Sequence, residues 1–257
     1  MTGSGLGKVA ITTAGSPDAA LCRKGEAVAH RFGVPFVQRG GRSLEALRAA
    51  IAADVLVVFG RDGVRLYDGN APVVWSPGMA ALRIGRMEAG GVDPLVEVAG
   101  LRRGDQVLDA TLGLGQDTLV ASRAVGESGR IVALEKSLPL AIFTAAGLAG
   151  AERGGAIEVL HGDAARYLSS QPDRSVDVVL FDPMFARPRK SQPAFEMLRR
   201  HADAAPLTPE VLDEAKRVAR RSVVVKGAKY SDDLRKLGLR PLPRSRHADV
   251  VWARIDV

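Results

Sequence analysis

The sequence has a single cysteine, few aromatic residues and no long hydrophobic run. Cys22 cannot form an internal disulfide bond, and no group of cysteine and histidine residues has metal-ligand spacing. No apolar stretch approaches the roughly 20 residues of a membrane helix, and residues 1–8 lack the apolar segment of a signal peptide. These absences exclude a disulfide framework. We expect a cytoplasmic protein with no metal site and no membrane segment.

The composition is that of a globular protein with an uneven charge. The 257 residues, 46% of them hydrophobic, are enough for one large domain or two smaller ones. The net charge of +7 divides into +4 over residues 1–92, −5 over 93–186 and +8 over 187–257. Basic regions that flank an acidic one favour a polyanionic partner such as nucleic acid, although an arginine-rich solvated surface would give the same count.

The most informative stretch is residues 105–118, which have the pattern of strand, glycine turn and helix. A short apolar run ends at Asp109, and Gly113 and Gly115 precede a helical pattern that begins near Asp117. In open parallel sheets, ligands bind at the carboxyl ends of the strands, beside the N-terminus of the following helix. The turn departs from the dinucleotide motif G-x-G-x-x-G, so by itself it predicts a nucleotide-like ligand without specifying which.

Strand and helix patterns alternate on both sides of this turn. Before it, we predict a small α/β unit with a strand at Val9–Thr13, a helix capped at Ser16, a strand at Val34–Val37, a helix from Ser43, and a hairpin of Asp54–Gly60 with Val64–Tyr67. After it, we predict strands at Arg130–Glu135, Ile157–Leu160, Val178–Phe181, Ser222–Lys226 and Val250–Ile255. The pattern indicates an α/β fold with a doubly wound, mostly parallel sheet, divided into residues 1–75 and 76–257.

Four acidic residues follow successive predicted strands: Asp109, Glu135, Asp163 and Asp182. One acid at a strand end is often just a helix cap, but four at one edge of a sheet can line a single crevice. Glu135 is placed to accept the ribose hydroxyls, and Asp163 to accept an adenine amino group. A site for NAD would explain the first two acids, whereas a site for S-adenosylmethionine explains all four.

The segment Asp182-Pro183-Met184-Phe185 follows the most apolar strand. Asp-Pro alone is a common turn dipeptide. Followed by an aromatic residue, it places a carboxylate, the Pro183 carbonyl and the Phe185 ring around one point, which suits a planar base with an exocyclic amine. Such a base must be unstacked or single-stranded, and Phe185 would be its stacking partner.

Several of these segments resemble one methyltransferase family. Residues 109–117, residues 181–185 with Lys190-Ser191, and Val223-Val224-Val225-Lys226 with Tyr230 are similar to the RsmJ-type class I methyltransferases, over roughly residues 64–257. That family methylates the N2 amine of a guanine in bacterial small-subunit ribosomal RNA. The N-terminal unit, from Ile11 to Ser43, is more similar to a YpiP-like branch.

The resemblance implies a Rossmann-like, seven-stranded sheet and S-adenosylmethionine as cofactor. It also implies positions for the site residues: Gln116 and Asp117 after the glycine turn, Glu135 and Lys136 at the ribose, Asp163 and Ala164 at the adenine, and Asp182 where cofactor and target amine meet. The sequence departs from the family at Gln116, where an arginine is usual, and at residues 227–229, which replace an Arg-Pro-Asp type segment.

The sequence thus predicts a methyltransferase that acts on RNA. Basic residues expected to contact RNA phosphates are Arg83, Arg86, Arg187, Arg189, Lys190 and Lys226. Alternatives are methylation of DNA adenine, a protein side chain or a small molecule, and an RNA-binding module without catalysis. The basic C-terminal third argues against a small molecule, and the four retained acids argue against a module without catalysis. The sequence indicates neither an oligomeric state nor the methylated nucleotide.

Overall fold

The computed structural model describes residues 8–152, 154–183, 193–202, 205–228, 232–242 and 250–257. They form two compact units. The first unit combines the described residues up to Ser76 with those of Ser137–Ala151 and Ser191–His201, and the second unit holds the rest. The chain first passes from one unit to the other between Ser76 and Pro77. The division into domains 1–75 and 76–257 stays a prediction.

The first unit contains a four-stranded sheet. Its elements before Ser76 are β1 (Val9–Thr13), α1 (Ala19–Phe32), α2 (Leu44–Ala50), β2 (Val55–Gly60), β3 (Gly63–Tyr67) and β4 (Val73–Val74). The strand order is β1-β2-β3-β4, with β1 parallel to β2 and the other pairs antiparallel. The hairpin of β2 and β3 confirms the prediction, since Gly60 and Gly63 pair at its tip.

Two predictions for this unit were wrong in detail. The Val34–Val37 segment contributes a single bridge, from Phe36 to Ile11, instead of a strand. Pro35 precedes Phe36 and has no N–H to donate, so the ladder cannot extend through it. Helix α1 is capped by Asp18 and not by Ser16, because the Asp18 carboxylate accepts the Leu21 amide at 2.8 Å. Ser43 caps α2 as predicted.

The second unit contains a six-stranded sheet. In chain order the elements after Ser76 are α3 (Met79–Glu88), α4 (Pro94–Ala99), β5 (Gln106–Asp109), α5 (Gln116–Val125), β6 (Arg130–Glu135), α6 (Leu138–Ala149), β7 (Ala156–His161), α7 (Ala164–Ser170), β8 (Val176–Phe181), α8 (Pro193–His201), α9 (Pro209–Val218), β9 (Ala219–Ala228), α10 (Asp233–Lys236) and β10 (Val250–Asp256). The order is β10-β9-β8-β5-β6-β7, and β10 is antiparallel to β9 while the other pairs are parallel. The Rossmann-like class is as predicted, but the described residues form six strands and not seven.

Two helices from the later part of the chain belong to the first unit. Helix α6 is buried at every position from Pro139 to Leu148 and packs on β2 and β3. The Trp75 ring lies directly against Gly147, where a Cβ atom would meet it at 2.1 Å. Helix α8 is held by the buried carboxylate of Asp68, which accepts from Arg200 Nε at 2.8 Å and lies 2.9 Å from His201 Nε2.

The sheet of the second unit reverses its strand order at β5. This strand lies between β6, which follows it in the chain, and β8, which does not. Its central strands are buried, with Leu108, Val179 and Val223 fully enclosed. Ligands bind in such sheets outside the carboxyl ends of the strands at the point of reversal. The ends of β5 and β8 are therefore the place to look for a site.

Candidate active site

The glycine turn follows β5 and leads into α5. Gly113 and Gly115 have φ of +52° and +74°, which L side chains rarely adopt. The Gly113 amide donates to Glu135 Oε2 at 3.0 Å, so the turn is fastened to the end of β6. Glu135 is buried. The turn and the acid predicted to hold the ribose are thus adjacent.

Asp109 ends β5 and is enclosed behind the turn. Its Oδ1 accepts the Thr111 amide at 3.0 Å, and its Oδ2 accepts the Thr118 hydroxyl. Burial raises the pKa of Asp109 to about 6, although both hydrogen bonds oppose the change. The nearby charges of Asp117 and Asp182 add to the increase. Asp109 is therefore a buried acid that titrates close to neutral pH.

The predicted ribose and adenine residues meet at the ends of β6 and β7. Lys136 Nζ lies 3.0 Å from Asp163 Oδ2, and Asp163 Oδ1 caps α7 by accepting the Ala165 amide at 3.0 Å. Burial would raise the pKa of Asp163, but the Lys136 ammonium and the cap hydrogen bonds lower it below its usual value. Ala164 is the first residue of α7. The carboxylate at this end of the crevice is therefore ionised and oriented.

Asp182 lies directly after β8, at the point where the strand order of the sheet reverses. Its backbone amide donates to Thr111 Oγ1 at 2.5 Å, and its Oδ2 lies 2.7 Å from Lys226 Nζ. The side chain is 40% exposed. Burial and the Asp117 charge raise the pKa of Asp182, against the opposite effect of Lys226. Pro183, the next residue, is half-buried.

An ion-pair chain of alternating charge runs from α4 to this carboxylate. Arg83 donates from Nε and Nη2 to the two oxygens of Asp93, each at 2.8 Å, and also binds Asp117 Oδ1. Lys226 Nζ then joins Asp117 Oδ2, at 2.8 Å, to Asp182. Burial would raise the pKa of Asp117, but Lys226 and Arg83 lower it. Arg83 and Lys226, two of the six cations expected to contact RNA phosphates, are therefore engaged with carboxylates.

The structure brings the predicted cofactor residues to one edge of the sheet. Gln116 begins α5, and its amide group lies against Gly78. Arg86 is exposed on α3. Phe185, Arg187, Arg189 and Lys190 lie outside the described residues, so their roles stay predictions.

Sequence reasoning missed Thr111, Thr118 and Asp93. Thr111 and Thr118 stand inside the glycine segment, where their hydroxyls had no predicted partner. Asp93 opens α4 by accepting the Leu95 amide at 2.9 Å. Asp93 also binds Arg83, ten residues earlier in the chain, and the sequence has no periodic pattern that predicts this pairing.

The residues present fit S-adenosylmethionine. The cofactor offers ribose hydroxyls and an adenine amine as donors, and the crevice provides the carboxylates of Glu135 and Asp163 at the ends of neighbouring strands. The left-handed glycines let the backbone approach a ligand closely. In the described parts of the chain, no three His, Cys, Asp or Glu residues are grouped as metal ligands. No helix described there has the length and apolar character to cross a membrane.

Comparison with known families supports S-adenosylmethionine as the cofactor. The model of a family described as "Putative SAM-dependent methyltransferase" matches residues 68–241. The chain belongs to this family, and it is an S-adenosylmethionine-dependent methyltransferase.

Two relatives and one solved structure show the range of the similarity. The chain is 34% identical over 243 residues to "Uncharacterized protein YpiP" of Bacillus subtilis (strain 168), covering 91% of this chain and 94% of that protein. It is 35% identical over 159 residues to ribosomal RNA small subunit methyltransferase J of Laribacter hongkongensis, covering 55% of this chain and 54% of that protein. The SAM-dependent methyltransferase NGO1261 from Neisseria gonorrhoeae has the same fold, with a TM-score of 0.60, 18% identity, and coverage of 95% and 94%.

Proposed function

We propose that the protein methylates the exocyclic N2 amine of a guanine in RNA, with small-subunit ribosomal RNA as the substrate. The observation that carries this proposal is the position of Asp182. Asp182 stands at the point where the strand order reverses: its backbone amide donates to Thr111, its carboxylate accepts from Lys226, and the Pro183 carbonyl follows at once. These are two acceptors for the two protons of one amine.

The proposed reaction is a direct displacement. S-adenosylmethionine, when bound, supplies an electrophilic methyl group on a sulfonium sulfur. The amine nitrogen would take up this methyl group, and the sulfur would keep the electron pair of the broken C–S bond. Hydrogen bonds to Asp182 and Pro183 would draw the nitrogen lone pair out of conjugation with the ring, and the methylated amine would then lose one proton to water. Positioning accounts for much of the rate in such a reaction.

The choice of RNA is supported by charge and by similarity. The C-terminal residues 187–257 carry a net charge of +8, which suits a polyanionic substrate. The Laribacter hongkongensis relative is named for methylation of small-subunit ribosomal RNA, and its match covers about half of each chain. The guanine N2 target follows from the likeness of residues 181–185 to the RsmJ-type segment.

The direct test is transfer of labelled methyl groups from S-adenosylmethionine. The acceptors to compare are small ribosomal subunits and total RNA from cells that lack the gene, DNA and total protein, with nucleoside mass spectrometry of the product. We expect N2-methylguanosine at one position. Label that appears in DNA, in protein or at another RNA base would contradict the proposal and identify the alternative acceptor.

Asp182 variants link the product to the site. We expect Asp182→Ala to lower kcat by at least about 10²-fold, the usual cost of losing one such polar group, while RNA and S-adenosylmethionine still bind. Asp182→Asn keeps the shape and one acceptor oxygen, so it should retain more activity than the alanine variant. Unchanged transfer by Asp182→Ala would remove Asp182 from the mechanism.

A further inference from the structure

Lys226 occupies an unusual place for a basic residue of a nucleic-acid enzyme. Its ammonium lies between two carboxylates, 2.8 Å from Asp117 Oδ2 and 2.7 Å from Asp182 Oδ2. Its side chain is 20% exposed and passes the Trp252 indole ring at 5.4 Å. A lysine that serves RNA phosphates needs an accessible charge, whereas this ammonium already has two anionic partners.

The rest of the ion-pair chain fixes this ammonium in space. Asp117 stands on α5 and is bound on its other oxygen by Arg83 of α3. Two nitrogens of Arg83 donate hydrogen bonds to Asp93, whose side chain is 2% exposed. Because a bidentate arginine–carboxylate pair is geometrically specific, Asp117 has little freedom to turn away from Lys226. The Lys226 ammonium is thus held by Asp117 directly, and by Arg83 and Asp93 through Asp117.

This arrangement has a consequence for Asp182. With its Oδ2 held by Lys226, rotation of the carboxylate is restricted and its Oδ1 keeps a defined direction. A fixed positive charge at 2.7 Å also favours the ionised form, which is the one that accepts hydrogen bonds. An acceptor that is already oriented loses no free energy in reorganisation when the amine arrives.

We propose that Lys226 is a positioning residue for Asp182: its ammonium holds Oδ2 and leaves Oδ1 to the target amine. Asp117, Arg83 and Asp93 hold Lys226 at that point. The assignment of Oδ1 to an amine rests on the proposed function, whereas the coupling of Lys226 to Asp182 does not. Lys226 touches neither the cofactor nor the base in this scheme.

The charges around Asp182 give the expected direction of a pH effect. Lys226 faces it from β9, Asp117 from α5, Asp109 from β5 and Arg83, more distantly, from α3. Burial and Asp117 raise the pKa of Asp182, and Lys226 lowers it. Methyl transfer needs the ionised carboxylate, so activity falls as the pH drops through this pKa. Loss of Lys226 must therefore move the acidic limb of the pH profile to higher pH.

The first experiment needs no RNA. NMR of the full-length protein with 13Cε- and 15Nζ-labelled lysine gives the titration of Lys226, assigned by its loss in Lys226→Arg. Burial lowers the Lys226 pKa, but Asp182 and Asp117 raise it well above its usual value. We expect the Lys226 pKa to fall in both Asp117→Asn and Asp182→Asn. If the Lys226 pKa is the same in Asp182→Asn as in the wild type, the proposal is overturned, whatever the methyl acceptor is.

The second experiment is the pH dependence of kcat/KM for methyl transfer to RNA. We expect Lys226→Met to shift the acidic limb upward by about one pH unit and to lower kcat at neutral pH about tenfold, with Lys226→Arg restoring most of both. Lys216→Met, which changes a lysine on α9 outside the site, is the matched control and should behave as the wild type.

Binding measurements separate the competing role. If Lys226 contacts an RNA phosphate instead, Lys226→Met will weaken RNA binding and reduce the salt dependence of that binding. The acidic limb of the pH profile will then not move. That result would overturn the positioning role. If no RNA accepts a methyl group, the proposed function fails, while the NMR titration still decides whether Lys226 and Asp182 are coupled.

Discussion

The backbone amide of Asp182 donates a hydrogen bond to the hydroxyl of Thr111 at 2.5 Å. The two residues are 71 positions apart and follow neighbouring strands, β8 and β5. This bond joins the glycine turn, which is predicted to hold the cofactor, to the segment proposed to hold the target amine. The relative position of the two reacting groups therefore depends on it.

Thr111→Val removes this acceptor and keeps the shape of the side chain. We expect kcat to fall about tenfold, because an unpaired amide costs about 1–3 kcal/mol and Asp182 will shift to find another partner. Isothermal titration calorimetry should show a much smaller change in S-adenosylmethionine affinity. Thr111→Ser retains the hydroxyl and serves as the control. Equal loss of activity in both variants would show that the methyl group matters and the hydrogen bond does not.

Asp109 predicts a pH dependence of stability. Its folded pKa of about 6 lies above the ordinary value of 3.8, so the folded state binds this proton more tightly than the unfolded state. The stabilisation from Asp109 is complete below pH ~4 and is lost as the pH rises through 6, amounting to about 3 kcal/mol. Denaturant titrations should show that the wild type loses this free energy of unfolding between pH 4.5 and 7 and that Asp109→Asn does not. A parallel pH dependence in the variant would contradict the assignment.

Asp68 predicts a dependence of the opposite sign in the first unit. Burial would raise its pKa, but the hydrogen bonds from His201, Asn70 and Arg200 hold it well below the usual value. Its contribution is therefore present above pH ~4 and lost only in strong acid. Asp68→Asn should cost about 2 kcal/mol at pH 7, as for a hydrogen-bonded charge.

The control for Asp68 is Asp62→Asn, which alters an exposed ion pair with Arg65. Exposed pairs contribute little, so thermal unfolding of this variant should match the wild type. If the two variants unfold alike, Asp68 does not anchor α8.

Arg83 and Arg86 provide a test of which cations meet RNA. The sequence predicts phosphate contacts for both, but Arg83 is engaged by Asp93 and Asp117 whereas Arg86 is exposed. We expect Arg86→Gln to weaken RNA binding and to reduce the slope of log K against log salt by about 0.7–0.9. Arg83→Gln should leave the slope unchanged and lower the melting temperature. The reverse pattern would assign the phosphate contact to Arg83.

Much of the second unit could be predicted because it depends on local patterns. Buried parallel strands appear as short apolar runs, and helix starts appear as capping residues such as Thr208 before Pro209. The acids at strand ends were found in this way too, since topology alone brings the carboxyl ends of parallel strands together. Asp109, Glu135 and Asp163 are accordingly placed at one edge of the sheet.

What sequence reasoning could not supply is pairing between distant charges. Lys226 and Asp117 are 109 residues apart, and Arg83 and Asp117 are 34 apart, on elements with no shared periodicity. An arginine or lysine on a helix or at a strand end is equally compatible with solvent, phosphate or a buried carboxylate. Which of these partners the side chain meets depends on how α3 packs against α5. The sequence has no local pattern that predicts this packing.

The membership of α6 and α8 in the first unit bears on the order in which the protein is made. Synthesis proceeds from the N-terminus, and domains generally fold as they emerge from the ribosome. The sheet of β1–β4 is translated first, but the helix that covers β2 and β3 follows only at Leu138–Ala149 and the helix held by Asp68 at Pro193–His201. By then, most of the second unit has been synthesised. The N-terminal sheet is translated first and can pack early against α1 and α2, but the face that α6 covers stays open until much of the chain has been made.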